Sequence, residues 1–128
     1  QTTFARLRLA FEPNDGWAIW PTFSYRRRDY DERNLDNDIL TLGTEVRYRW
    51  GVRNNVRFGI GYDRTSYAEV QDRDREGLSL SAHLEKPINE QTTLRVGSRF
   101  EKTSFQVQDA SHENAVQGSG SIGFRYEF

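Results

Sequence analysis

The sequence predicts an all-β fold, an antiparallel up-and-down sheet of about seven strands that curves into a barrel. Apolar and polar side chains alternate with a period of two in one segment after another, as in strands with one apolar and one polar face. Short turn sequences and longer polar loops alternate between these segments. No run reaches the roughly 18 to 20 apolar residues that a membrane helix needs. Any crossing of a bilayer would therefore use strands.

The first predicted strand covers residues 4–12 and the second covers residues 17–26. A tight turn at 13–16 joins them, because its proline fixes φ and its Asp-Gly pair tolerates positive φ. Pro21 is the weak point of the second strand, since proline has no N–H to donate to the ladder. The two apolar sets are Ala5, Leu7, Leu9 and Phe11, and Trp17, Ile19, Pro21, Phe23 and Tyr25.

The third and fourth predicted strands cover residues 39–50 and 56–64, with a short turn at 51–55 between them. Both strands alternate in the same way as the first two. Their apolar sets are Leu40, Leu42, Thr44, Val46, Tyr48 and Trp50, and Val56, Phe58, Ile60 and Tyr62.

The fifth, sixth and seventh predicted strands cover residues 77–86, 93–102 and 115–128, with a short turn at 87–91. Their apolar sets are Leu78, Leu80, Ala82 and Leu84, then Leu94, Val96, Ser98 and Phe100, then Ile122, Phe124, Tyr126 and Phe128. Polar loops of about a dozen residues are expected near 27–38, 65–76 and 103–114.

Two features separate this pattern from a soluble sandwich or barrel, which also alternates. Aromatic residues of the apolar sets collect at strand ends, and glycines lie on the polar sets, where an outward solvent face has no need of them. The expected rim aromatics are Trp17, Tyr48, Trp50, Tyr126 and Phe128 at the short turns, and Tyr25, Tyr62 and Phe100 at the long loops. The glycines are Gly43, Gly59, Gly61, Gly97 and Gly123. Both features favour a transmembrane β-barrel with a crowded, polar interior.

Composition agrees with this interpretation. A hydrophobic content of 35% and a mean hydropathy of -0.86 are low for a chain with a dry core, whereas 13% aromatic residues argue against disorder. A membrane barrel reconciles the two, because only alternate residues must be apolar.

The last eight residues alternate without a break and end on an aromatic side chain. This tail resembles the C-terminal signal of Gram-negative outer-membrane β-barrels, whose four specified places are filled here by Ser121, Gly123, Tyr126 and Phe128. The resemblance implies that the barrel-assembly machinery recognises Gly123, Tyr126 and Phe128 during insertion. It also implies a location in the bacterial outer membrane, in contact with lipid and lipopolysaccharide.

Strand parity predicts that the barrel has further strands. If the seventh strand ends at the short-turn rim, the first begins at the long-loop rim, and direct closure would make these two strands parallel neighbours. Bacterial single-chain barrels have even strand numbers. Residues 1–128 are therefore predicted to be one transmembrane domain, the C-terminal part of a larger even-stranded barrel completed by upstream strands or other subunits.

The resemblance implies a porin-like channel for small polar or anionic solutes, or an export pore. Two alternatives stay open: a structural or adhesive outer-membrane barrel that Arg–Glu pairs plug and that acts through its long loops, and a soluble barrel that binds an apolar ligand. The predicted lumen-lining residues are Arg6, Arg8, Arg47, Arg49, Arg57, Arg95, Arg99, Arg125, Glu45, Asp63, Glu85 and Glu101.

Enzymatic and nucleic-acid functions are not indicated. The sequence has no cysteine, which excludes disulfides and thiolate chemistry. Residues two apart on one strand face are about 7 Å apart, so His83 does not form a local triad with Ser81 and Glu85. We predict no catalytic residues, no metal site and no cofactor. A net charge of -1 with interleaved signs also argues against a nucleic-acid partner.

Overall fold

The computed structural model describes residues 1–30, 36–68, 74–106 and 112–127. Regular structure in these residues is entirely β, which confirms the predicted class. The strands are β1 (Thr2–Arg8), β2 (Phe11–Asn14), β3 (Trp17–Arg28), β4 (Asn37–Trp50), β5 (Asn54–Tyr67), β6 (Arg75–Pro87), β7 (Thr92–Gln106) and β8 (His112–Tyr126). Within the described ranges, no helix has the length and apolarity that a membrane span requires.

All strand pairings are antiparallel and join neighbours along the chain, in the order β1-β3-β4-β5-β6-β7-β8. Because β2 also pairs with β3, β1 and β2 share one row and the sheet has seven rows. The predicted up-and-down arrangement is therefore confirmed. The sheet is open, since no pairing joins β1 to β8 among the described residues.

The gap between β1 and β2 lies opposite Pro21. The N–H of Leu9 donates to the carbonyl of Pro21 at 3.0 Å, but Pro21 has no N–H with which to return the bond. The register is the same on both sides of the gap, where the pairs are Arg8–Thr22 and Phe11–Ile19. The proline thus removes a ladder bond without exchanging the two faces, as expected for the weak point identified in the sequence.

Short turns close the hairpins at one end of the sheet, as predicted. In the β2–β3 turn, Asn14 Oδ1 accepts two backbone N–H groups at 3.0 and 3.1 Å. In the β6–β7 turn, Asn89 Oδ1 does the same at 3.0 and 2.7 Å. The β4–β5 turn uses Gly51 at φ 64°, a left-handed conformation that glycine adopts without strain.

At the opposite end the strands are longer than predicted, and the expected dozen-residue loops were wrong in length. β4 and β5 stay paired as far as Asn37 and Tyr67, and β7 and β8 as far as Gln106 and His112. Apolar alternation ends before these residues, but the backbone ladder continues through polar sequence. The connections that remain are 29–36, 68–74 and 107–111.

The sheet curves so that its polar face is concave and its apolar face is convex. One cavity is lined by polar-face residues of every row from β1 to β8, an arrangement that a flat sheet does not allow. Ala18 is the only buried apolar side chain in the described residues. Leu42, Phe58, Ile60 and Leu80, in the middle of the convex face, are 42%, 55%, 53% and 43% exposed. The described residues therefore contain no dry core.

Candidate functional site on the concave face

A central cavity of about 650 Å³ occupies the concave face. Arg6 and Arg8 of β1 line one side of it, and Arg99 of β7 lines the other. Small residues line the wall between them, including Thr22, Gly43, Gly61, Ser79, Ser81 and Ser119. The cavity therefore has cationic sides, and small residues lie between them beside the larger Trp20, Glu45 and His83.

At Gly59 and Gly97, two of the glycines of this face, neighbouring side chains lean over the backbone. A Cβ added to Gly97 would lie 2.9 Å from His83 Nδ1 and 3.0 Å from Ser121 Oγ. A Cβ on Gly59 would lie 2.5 Å from Ser81 Oγ. Side chains converge on the inside of a curved sheet. The crowding at these glycines agrees with the prediction that the polar face is an inner surface.

Strand register places every predicted lumen-lining residue on the polar face. Glu45 lines the central cavity together with Arg6, Arg8 and Arg99. A second cavity, of about 410 Å³, is lined by Glu45, Arg57, Glu85 and Arg95. The other predicted residues of this face, which line neither cavity, are Arg47, Arg49, Asp63, Glu101 and Arg125.

Three carboxylates near the concave wall are neutralised by arginines. Glu85 forms an ion pair with Arg95 Nε at 3.1 Å and accepts a hydrogen bond from Asn55 Nδ2 at 3.0 Å, which ties β5, β6 and β7 together. The other two pairs, each formed by residues two apart in sequence, are Arg99–Glu101 at 2.5 Å and Arg125–Glu127 at 3.1 Å.

Other arginines of this face have no carboxylate partner. Arg6, Arg8 and Arg57 form no ion pair within the described part of the chain. The Arg47 guanidinium lies 4.8 Å from the centroid of the Trp20 ring, in a cation–π contact. Positive charge is thus in excess on the wall after the paired residues are set aside.

We expect Glu85→Gln to lower the free energy of unfolding by about 1 kcal/mol, because it weakens two cross-strand contacts in a partly exposed site. Glu101→Gln is the matched control, since Glu101 pairs with an arginine of its own strand, and it should cost less than about 0.5 kcal/mol. Urea unfolding of the refolded protein measures both. Equal losses would contradict a structural role for the Glu85 contacts.

Aromatic side chains border the apolar convex face at the short-turn rim, where the sequence placed them. The Trp17 and Tyr48 ring centroids are 4.6 Å apart, and those of Tyr48 and Trp50 are 5.7 Å apart in a stacked arrangement. Tyr126 ends β8 at the same rim and is 53% exposed. All four side chains are partly exposed, and Trp17, Tyr48 and Trp50 contact one another without forming a core.

The other rim changes from aromatic to charged residues. The Tyr25 hydroxyl donates to Asp38 Oδ1 at 2.8 Å, and Tyr62 follows on the same face. Beyond them, Arg64 lies 3.9 Å from Glu76. The expected places of Phe100 and Tyr62 at this rim were wrong. β7 continues to Gln106 and β5 to Tyr67, so Phe100 lies opposite Leu80 and Tyr62 opposite Leu78, in mid-strand.

The predicted assembly signal is described in part. Nothing lies within 4 Å of a Cβ built on Gly123. The Tyr126 hydroxyl donates to Gln91 Oε1 at 3.1 Å, which fixes this ring beside the β6–β7 turn. Phe128 lies outside the described residues.

Three residues that line the cavities were not predicted to do so. Trp20 belongs to the polar set by parity, which was the signal that its ring lies in the cavity wall. Ser121 begins the alternating tail and Ser119 precedes it, and counting back from Phe124 places both on the inner face. They line the central cavity with Trp20.

The described residues contain no group of three or more histidine, cysteine or acidic side chains that is arranged to hold a metal ion. His83 forms no hydrogen bond to a serine or a carboxylate of the described residues, and it lines both cavities. No protein-family model and no curated protein matches the sequence.

Proposed function

We propose that the chain is the C-terminal part of a bacterial outer-membrane β-barrel whose concave face lines a channel for small polar or anionic solutes. The observation that carries this proposal is the inverted polarity of the sheet. Its apolar face is convex and exposed, and its polar face is concave and crowded with charged residues. Lipid covers such an outer face in membrane barrels, and water fills such an interior.

The height of the apolar belt fits a bilayer. On β4 the convex apolar set runs from Leu40 to Trp50, ten residue steps or about 34 Å at about 3.4 Å per residue. A strand tilt of roughly 40° reduces this to about 26 Å, close to the roughly 25 Å apolar band of outer-membrane barrels. On other strands the apolar belt is shorter than on β4, because Arg64 of β5 stands opposite Leu40 and Lys102 of β7 stands opposite Leu78 on the same face.

Closure of the barrel requires an odd number of additional rows. The seven rows place β1 and β8 in the same direction. One further antiparallel strand, or a larger odd number of them, must therefore lie between the two open edges. Strands upstream in the same polypeptide are the simplest source. An even total of strands results, as is usual for these barrels.

The charge balance supports anionic solutes. The polar sets contain nine arginines, including Arg26, and six carboxylates, including Glu12 and Glu127. Three ion pairs set aside Glu85, Glu101 and Glu127, leaving six arginines against three carboxylates. Unpaired arginines in a pore wall attract anions and lower the barrier to their passage.

Two measurements test the proposal. The protein should partition into detergent and migrate faster on a gel before boiling, and in planar bilayers it should conduct with a preference for anions. A water-soluble monomer that needs no detergent would refute the membrane assignment. Detergent-dependent folding without conductance would refute the channel and favour the plugged barrel that acts through its loops.

Phe128→Ala should lower the yield of assembled protein in the outer membrane while changing the unfolding free energy of refolded protein by less than about 0.5 kcal/mol. The reason is that the proposed role of Phe128 is recognition by the assembly machinery. Membrane fractionation of cells measures the yield, and urea unfolding measures stability. Equal loss of both would count against a recognition role.

A further inference from the structure

We propose that the second cavity binds an oxyanion group, such as a phosphate or phosphate monoester of a small solute, through Arg57, His83, Ser81 and Ser121. All four residues line this cavity of about 410 Å³. The inference rests on the proposed channel function and gives the channel a defined solute subsite.

Arg57 is the cationic residue of the proposed site. It stands directly opposite Arg47 on β4 and His83 on β6, and it forms no ion pair with any described residue. Like charges in directly opposed positions destabilise a sheet. Arg47 is drawn toward β3 by its contact with Trp20. The Arg57 guanidinium has no ion pair in the cavity, where the one carboxylate of the described residues without an ion pair is Glu45. An anion bound there removes this cost.

Further hydrogen-bonding side chains surround the same space. His83 and Ser121 lean over Gly97 from two strands, and both of their polar atoms lie within 3.0 Å of the point where a Cβ of Gly97 would stand. Ser81 leans over Gly59 in the same way. A guanidinium, an imidazole and two hydroxyls supply hydrogen-bond donors from several directions, which suits the oxygens of a tetrahedral oxyanion.

Two acidic residues of the cavity differ in whether their charge is balanced. Glu85 is already engaged by Arg95 and Asn55, so its charge is balanced. Glu45 lines the cavity without an ion pair in the described part of the chain. It therefore opposes an anion, and removing its charge should strengthen binding.

The experiment is calorimetric titration of inorganic phosphate into protein folded in a detergent without phosphate groups. We expect Arg57→Gln to weaken phosphate binding about tenfold or more, as for loss of a charge-assisted hydrogen bond. Glu45→Gln should strengthen it by about two- to fivefold. Arg26→Gln is the matched control, because Arg26 stacks on Phe4 elsewhere on the concave face, and it should leave the affinity unchanged.

Because this titration needs no channel, its result is separable from the proposed function. Anion-selective conductance together with phosphate binding that is absent, or equal in wild type and Arg57→Gln, would overturn the subsite and leave the channel standing. Phosphate binding that depends on Arg57 in a protein that does not conduct would support the subsite and refute the channel. NMR of the His83 ring distinguishes a free solute from a lipid headgroup. If its resonances shift when anionic phospholipid is added but not when free phosphate is added, the assignment to a small solute is overturned.

Discussion

Ile60→Arg should lower the unfolding free energy of the protein in phospholipid vesicles by about 2–4 kcal/mol, the cost of an arginine near the midplane of a lipid-facing strand. Ile60 is central in β5, on the convex face, and 53% exposed. In a water-soluble protein the same change at a half-exposed position stays within about 0.5 kcal/mol. The size of the loss therefore reports whether lipid or water covers this face.

Thr41→Arg is the control for this substitution. Thr41 is on the concave face of β4, opposite Asp63, where a new guanidinium gains a cross-strand partner. We expect a change of less than about 0.5 kcal/mol. Urea unfolding in vesicles compares the two variants. A tolerated Ile60→Arg beside a costly Thr41→Arg would reverse the assignment of inner and outer faces and refute the membrane barrel.

Gly97→Val should lower the unfolding free energy by about 1–3 kcal/mol, the usual cost of overpacking a closely packed site. Strand propensity alone predicts the opposite, because valine fits a strand better than glycine by up to about 1 kcal/mol. The steric term should win here, since Gly97 is buried and a Cβ would meet His83 at 2.9 Å and Ser121 at 3.0 Å.

Gly123→Val is the control that separates the effect of steric crowding on stability from the effect of strand propensity. Gly123 shares the inner face with Gly97 and lies opposite Arg95 on β7, but nothing lies within 4 Å of its Cβ position. We expect this variant to be unchanged or slightly more stable when both are refolded in detergent and unfolded in urea. Adding His83→Ala to Gly97→Val should recover part of the loss. Equal effects of the two valines would show that the inner face is not crowded at Gly97.

The fold was predictable because alternation is a local signal that each segment repeats. The number of rows, the pairing order and the turn positions followed from it, and Pro21 marked the gap that divides the first row into two strands. The strand ends opposite the short turns were not predictable in this way. Between Asp63 and Tyr67 both faces of β5 are mostly polar, so hydrophobic periodicity disappears although the hydrogen-bond ladder with β4 continues.

The polar face was also readable from parity, but the grouping of its residues was not. Sequence spacing does not reveal that Arg57 has no counter-ion whereas Arg95 has one, because this depends on the register between strands. It does not reveal curvature either, which brings Arg8 of β1 and Ser119 of β8 to one cavity. These features required the assembled sheet.

The pairing of each row only with its neighbours in sequence makes the wall modular. Stability in such an array is close to a sum of local hairpin terms and contacts between adjacent rows. Loss or duplication of one two-row unit, such as residues 54–87, leaves the strand direction at both open edges unchanged. It also leaves the inner and outer faces of the remaining rows unchanged. The width of the sheet is therefore free to change in evolution by whole hairpins, without redesign of the remaining strands.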